Sequence, residues 1–519
     1  MPDDPVTLAR LSEQHAHARA NALALVDADR RWTWASFHDA VLRTVAVLRA
    51  LGLGAGDRLA FLGYNRDLYI VLLQACYRAG IVLAPLNWRL ACSELDYILR
   101  HARIGTIVVD PEFAALGHQA ASAAGVAVVP LSATSDSLAA RIECALPDPE
   151  AAPVMPDSVA LLLYSSGTTG FPKGVLITHD NLLTGLRDVR ATGQAWGAWL
   201  PEETVLLATP IFHIGGTGWV TQALAAGSAT VAIPRPEVTA MVRAITTEKV
   251  TKFFAVPAIL SMMMKDGQAS RANFASVRYI LYGASPISLA VLKEAMATFV
   301  NAEFVQVYGA TETTGAITYL SPEEHRHSDE ALLESCGKPF PGGAARIVDA
   351  DGKVLAAGEI GEIEIRSSAV TPGYLDDAEA TRAAFHHGWY RTGDAGYRDA
   401  EGYLYIRDRI KDMIVSGGEN IYPAEVEAVL NTHPAVDECA IIGVPDARWG
   451  ETAKAVVVLR AGAEASGEQL RDFLRGRVAG YKIPKSIDFT GSLPRNPSGK
   501  ILKRTLREPY WRDEGRRIA

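Results

Sequence analysis

No stretch of this chain approaches the roughly 18 uninterrupted apolar residues that a bilayer-spanning helix requires. Its opening, Met1-Pro2-Asp3-Asp4-Pro5, lacks a basic segment followed by an apolar one, so neither a transmembrane helix nor a secretory signal is predicted. Cysteine is scarce: Cys76, Cys92, Cys144, Cys336 and Cys439 lie far apart and are odd in number. That argues against a disulfide framework and a CxxC metal site, and fits reduced thiols in a cytoplasmic protein. Histidines pair only as His15/His17, His325/His327 and His386/His387, with no second pair at ligand spacing, so no zinc site is expected. A basic excess is missing as well. The net charge of −8 gives no footprint for nucleic acid, while peripheral membrane contact and a homodimer stay open.

What remains is an ordinary composition, 49% hydrophobic and 21% charged, over 519 residues. Such a length exceeds one compact core and suggests roughly two to four structural units. Helical periodicity over 39–52 and 66–79 alternates with apolar runs at 57–63 and 81–84. The alternation returns with strands 251–256, 277–282 and 303–308 and helices 257–265 and 286–299, the last starting at Ser285-Pro286. Strands alternating with helices imply parallel sheets covered on both faces, with ligands at the carboxyl ends of the strands. Gly283-Ala284-Ser285 and Tyr308-Gly309-Ala310-Thr311-Glu312 should then lie side by side at that edge.

From about 337 to 408, short strand-like runs between Gly- and Asp-rich turns suggest a small antiparallel, barrel-like unit. Beyond it, helix 423–431, strands 437–444 and 453–460 and helix 467–476 make an α+β pattern. The expected class is therefore α/β. A large N-terminal domain of parallel-rich sheets with helices (1–410, its sheets to about 336 and the barrel-like unit over 337–408) precedes a small α+β domain (411–519).

The segment richest in chemistry is Tyr164-Ser165-Ser166-Gly167-Thr168-Thr169-Gly170-Phe171-Pro172-Lys173-Gly174. An apolar strand (158–164) enters it, and a helix is expected from about Asp180. Glycines admit backbone N–H groups to phosphate oxygens, while the hydroxyls and Lys173 add donors and charge. It is not a Walker loop, because Pro172 stands where GxxxxGK[ST] requires glycine.

This loop resembles the signature of the adenylate-forming superfamily of acyl-CoA synthetases, peptide-synthetase adenylation domains and beetle luciferases. The resemblance continues in order through Tyr308-Gly309-Ala310-Thr311-Glu312, Tyr390-Arg391-Thr392-Gly393-Asp394, Asp408-Arg409-Ile410-Lys411-Asp412, Ser416-Gly417-Gly418-Glu419-Asn420 and Pro494-Arg495-Asn496-Pro497-Ser498-Gly499-Lys500. It implies ATP, Mg²⁺ and coenzyme A as cofactors and co-substrates of a carboxylic acid. Glu312 would bind Mg²⁺ and Thr311 the α-phosphate, with Tyr308 stacked on adenine beside the Gly283-Ala284 backbone. Asp394 would accept the ribose hydroxyls, and Arg409 would give a second ribose or phosphate contact. Lys500 would stabilise the charge of adenylation. Lys411 would be the hinge of a mobile C-terminal domain whose other face offers Gly417, Gly418 and Glu419 to the thiol.

For the acid, Phe212-His213-Ile214-Gly215-Gly216 carries no acidic residue to pair with a substrate amine. The pair resembles acyl- and aryl-CoA ligases, with His213 near the acid; an ordinary packed histidine is the other reading. Gly215, Gly216, Thr217 and Gly218 are small enough to leave volume for a tail or ring. Resemblance to long-chain enzymes, which often place a gating aromatic a few residues after this histidine, makes Trp219 a candidate gate. Absence of a carrier domain after residue 500 favours free CoA. A medium- or long-chain fatty acid, or a related hydrophobic acid, is expected; the alternative is a benzoate- or cinnamate-like acid, and a non-catalytic relative comes last.

Overall fold

The computed structural model describes residues 7–165, 172–265, 274–327, 330–416, 419–446, 448–495 and 501–511. By compactness the chain falls into two units: Met1–Ala345 with Ile365–Tyr390, and Arg346–Glu364 with Arg391–Ala519.

The first unit holds two helix-covered sheets. In one, Ala127–Pro130, Thr106–Val109, Arg58–Leu62, Val82–Leu86 and Val159–Ser165 run parallel, and Lys173–Thr178 closes the edge antiparallel. In the other, Glu303–Ala310, Tyr279–Gly283, Lys252–Ala255, Thr204–Leu207, Ala229–Ala232 and Leu23–Asp27 are parallel, flanked by antiparallel Gly315–Leu320 and Arg30–Thr33. Central strands are apolar on both faces; Val82–Leu86 is buried throughout. Helix Asp67–Ala79 is also buried along its whole length and ends at Gly80, whose φ of 70° suits a glycine. One apolar cluster joins Leu59 and Phe61 of the first sheet to Val205 and Leu207 of the second.

One local expectation fails. A helix was expected to start at Ser285-Pro286, but it runs Leu289–Thr298 and is capped by Ser288, whose Oγ accepts from Val291 N at 3.3 Å. Ala284 turns left-handed (φ 66°), and the chain stays non-helical through the next residues until Ser288 supplies the cap. The helix expected from about Asp180 is His179–Ala191, and the strand Lys173–Thr178 precedes it. Gly174-Val175-Leu176-Ile177 is an apolar run with β-branched Val175 and Ile177, and it pairs back on Val159–Ser165, so the glycine-rich loop joins two antiparallel strands.

A further sheet takes in Ala344–Val348, Gly361–Arg366 and Trp389–Arg398, the last pairing antiparallel with both Phe385–His386 and Leu404–Arg409. In the second unit, Ile414–Ser416, Glu419–Ile421, Val436–Asp446, Gly450–Leu459 and Ser486–Phe489 form a five-stranded sheet. Helices Pro423–Leu430 and Gly467–Leu474 bury Val426, Leu430, Leu470 and Leu474 on it. The helix Lys503–Trp511 packs Leu506 and Tyr510 with Ile442, Val444 and Val456.

Candidate active site

Gly283 and Val307 are register partners in neighbouring parallel strands, so Gly283-Ala284 and Tyr308-Gly309 do lie together at the carboxyl edge. A Cβ on Gly283 would stand 2.0 Å from Val307 O, and one on Gly309 1.8 Å from Gly315 O. Close backbone approach demands both glycines before any ligand is considered. Thr311 and Glu312 occupy the turn joining Glu303–Ala310 to Gly315–Leu320. Thr313 Oγ1 fixes that turn, accepting from Ala310 N at 2.8 Å and donating to Gly315 O at 2.7 Å.

Ser165 ends its strand directly opposite Lys173. Its hydroxyl donates to Glu312 Oε1 at 3.1 Å, bringing the mouth of the glycine-rich loop to the carboxylate expected to bind metal. A second hydroxyl reaches the same oxygen: Tyr374 Oη donates to Glu312 Oε1 at 3.2 Å. Lys173 Nζ lies 5.1 Å from the centroid of the Tyr374 ring. Burial first, then the Glu312 charge, pushes the Tyr374 phenol well above its ordinary range, so it is a donor at every working pH. Sequence reasoning missed Tyr374. It follows a Thr-Pro-Gly turn that locally signals a loop and nothing more. Ser166, Gly167, Thr168, Thr169 and Gly170 lie outside the described residues, as do Gly417, Gly418 and Lys500.

His213 precedes the helix Ile214–Ala226, half-buried, with its ring centroid 4.4 Å from that of Phe212. The expectation that all four small residues after it leave room is corrected. A Cβ on Gly216 would come 2.3 Å from Pro210 O, so backbone fills that side. Thr217 is fully buried, bonded to Tyr69 Oη at 2.6 Å, and a Cβ on Gly218 would meet Ile214 Cδ1 at 3.2 Å. Gly215 alone meets only side chains at ordinary separations, Phe254 at 3.4 Å and Thr209 at 3.5 Å. Trp219 belongs to the buried core, edge-on to Trp199 with centroids 4.7 Å apart.

In the second unit, Asp394 and Arg409 are register partners on adjacent strands, with Arg409 Nε 2.8 Å from Asp394 Oδ1. The guanidinium also donates to Thr392 O at 3.0 Å. Lys411 stands exposed in the single turn Ile410–Asp412. Partial desolvation, helped by Arg409, Arg507 and Arg504 against the opposing Asp412, holds its pKa below the usual lysine value. Arg507 pairs with Asp412 at 2.9 Å. Glu419 is exposed and opposite Ser416.

The AMP-binding enzyme family matches residues 12–375, and the AMP-binding enzyme C-terminal domain matches residues 425–500. The chain belongs to the AMP-binding enzyme family. Within this adenylate-forming family it is 38% identical to the fatty acid–[acyl-carrier-protein] ligase ScoC of Streptomyces coeruleorubidus, over 99% of this chain and 98% of the relative. It is 37% identical to the feruloyl-CoA synthase of an Amycolatopsis species, covering 98% of each. Among solved structures, o-succinylbenzoate coenzyme A synthetase (MenE) of Bacillus subtilis with ATP and magnesium matches with a TM-score of 0.85 at 32% identity, covering 96% of this chain and 99% of that one. The α/β class with parallel-rich sheets, a barrel-like sheet and a smaller C-terminal domain is the fold of this family.

Proposed function

We propose that this chain is an acid–CoA ligase working in two half-reactions. The observation carrying the first is the convergence of Ser165, Tyr374 and Glu312 beside Tyr308 and the Gly283-Ala284 edge. A substrate carboxylate oxygen attacks the α-phosphorus of ATP, the bond to the β-phosphate oxygen breaks, and pyrophosphate leaves an acyl-adenylate. The thiol of CoA then attacks the acyl carbon, losing its proton; the bond to the phosphate oxygen breaks and AMP departs.

The residues fit a magnesium ion. Glu312 is one half-buried hard oxygen donor with Oε1 held by two hydroxyls, and Mg²⁺ commonly takes one or two carboxylates plus substrate phosphates. When bound, the ion supplies charge neutralisation on the phosphates. Thr311 and the loop Ser165–Lys173, with Ser166, Gly167, Thr168, Thr169 and Gly170, bind the phosphates. Tyr308 and Gly309 border the adenine with Gly283 and Ala284. Asp394 and Arg409 hold the ribose, and Lys500 stabilises the charge built during attack. His213 stands at the acid. Rotation at Lys411 exchanges Lys500 for Gly417, Gly418 and Glu419 in the second step, a known way to swap catalytic parts.

For the acid, Gly215 borders side chains and no backbone, with the Phe254 ring 3.4 Å from where its Cβ would stand. This apolar neighbour supports a hydrophobic medium- or long-chain fatty tail, and the relative ScoC acts on a fatty acid. An aryl acid is the second reading, favoured by the feruloyl-CoA synthase at nearly equal identity. ScoC also brings a carrier-protein thiol forward as the alternative acceptor. A panel of C2–C18 acids, benzoates and cinnamates, run with CoA or a phosphopantetheinylated carrier and read by AMP release, tests all three. AMP should appear only with acid and acceptor, fastest with a hydrophobic acid and CoA. ADP and phosphate as products would sink the proposal.

A further inference from the structure

Residues 369–375 tie two parts of the site together. Thr371 N donates to Glu312 O at 2.7 Å, and Ala369 O accepts from Thr314 Oγ1 at 2.6 Å, fastening one end to the Glu312 turn. At the other end, Leu176 N donates to Gly373 O at 3.1 Å and Leu375 N to Gly174 O at 2.8 Å. The strap thus pairs with the strand leaving the glycine-rich loop. Tyr374 lies within the second fastening, between Gly373 and Leu375. Its ring faces Lys173 and its hydroxyl reaches Glu312.

Both hydroxyls that bond Glu312 choose Oε1, and Oε2 takes no hydrogen bond from the described residues. A carboxylate anchored by one oxygen presents the other in a fixed direction, and preset ligand orientation raises metal affinity. We propose that Tyr374 is a positioning residue for the metal carboxylate: with Ser165 it clamps Glu312 Oε1 and aims Oε2 at the divalent cation that accompanies ATP. The inference rests on Glu312 being the metal ligand. Because the strap is bonded to both the loop strand and the Glu312 turn, the clamp also keeps the metal donor in register with the phosphate loop.

Tyr374→Phe removes only the O–H, keeping the ring, its packing and the contact with Lys173. The probe is Mn²⁺ with α,β-methylene-ATP on the full chain, with free Mn²⁺ read by electron paramagnetic resonance. Losing a hydrogen bond to a charged group should weaken Mn²⁺ binding about tenfold. Affinity for the analogue without metal should change less than about twofold, and the thermal unfolding temperature should not move. Glu312→Gln is the companion variant and should lose most Mn²⁺ affinity. If Glu312→Gln weakens Mn²⁺ binding and Tyr374→Phe does not, the clamp is overturned while the metal assignment survives. If neither variant weakens it, both fall. An equal loss of analogue affinity with and without metal in Tyr374→Phe would make the tyrosine merely structural and overturn the positioning role.

Discussion

Arg409 reaches across two paired strands to place Nε 2.8 Å from Asp394 Oδ1. Asp394 is nearly buried, and Gly393 before it has a φ of 69°, so the carboxylate is held by backbone shape as well as by its ion pair. An ionised acid so fixed suits a ribose, whose two hydroxyls both donate. Asp394→Asn should weaken ATP binding by about tenfold to a hundredfold, the usual cost of losing charge-assisted hydrogen bonds. Binding of 2′,3′-dideoxy-ATP should change little. Calorimetric titration of both nucleotides makes the comparison, and equal losses would move the ribose away from Asp394.

The adjacent glycines Gly215 and Gly216 after His213 should respond differently. Gly216→Ala drives a Cβ into the Pro210 carbonyl, which cannot swing aside as a side chain can. Overpacking of this kind costs about 1–3 kcal/mol or more, so soluble yield and unfolding temperature should fall. Gly215→Ala fits the space and should fold normally. Gly215→Leu presses on Phe254 and should shift preference toward shorter acids, measured as kcat/KM across the C2–C18 series. An unchanged profile would put the acyl tail elsewhere.

These glycines also mark how far the sequence could be read. The parallel strands were legible because Arg58–Leu62 and Val82–Leu86 are nearly continuous apolar runs. The site edge was legible because carboxyl ends of neighbouring strands must meet. Spacing does not say which glycine is filled by backbone; that depends on Pro210, which approaches Gly216 through a turn of its own. Trp219 read as a gate because long-chain enzymes often place an aromatic a few residues after this histidine, yet Trp199 covers it from twenty residues earlier. Tyr374 was invisible for the same reason: its partner Glu312 is 62 residues away in sequence. Motif order carried the chemistry, and long-range packing decided which side chains attend it.

Acid sensitivity should reveal two buried groups of opposite sign. His179 is 1% exposed, with Nδ1 accepting from Leu8 N at 3.2 Å, and burial lowers its pKa to about 4 from 6.5. Between those values the unfolded chain binds the extra proton, so His179 costs stability as pH falls through that window, by up to about 3 kcal/mol. Asp27 is raised to about 6 from 3.8, chiefly by burial, so the folded state binds its proton first and gains stability over nearly the same window. The two largely offset each other in the native protein. His179→Asn keeps the acceptor for Leu8 and removes the titration. Relative to wild type it should gain stability in urea unfolding on going from pH 7.5 to pH 4.5, whereas Asp27→Asn should lose it. A pH-independent difference for both would refute the assignments.

Two lysines three residues apart should behave as a catalytic group and an anchor. Lys503 Nζ pairs with Glu427 Oε1 at 2.8 Å, both side chains mostly covered. Burial alone would lower the Lys503 pKa, but Glu427 and Asp408 outweigh it and raise it, while burial raises those two acids. Leu502 N donates to Pro494 O at 2.8 Å, and Arg495 bridges to Ile501, so the chain is pinned on both sides of the segment bearing Lys500. Lys503→Met strands a covered Glu427 carboxylate and should cost about 3 kcal/mol, seen as earlier melting of the second unit. Both half-reactions should then slow together, since the helix Lys503–Trp511 loosens. Lys500→Ala removes the charge proposed to act in the transition state of adenylation, so unfolding should not change. Its adenylation rate should fall about 10²- to 10³-fold, while synthetic acyl-adenylate plus CoA should still give thioester at near wild-type rate. Gly418→Leu should show the converse, adenylation kept and thioester formation lost. Single-turnover measurement is needed, because steady-state rates would mix chemistry with the proposed domain rotation. Equal damage to both steps by Lys500→Ala, at unchanged melting, would mean that this lysine serves the second step as well and that the two-faced domain must be given up.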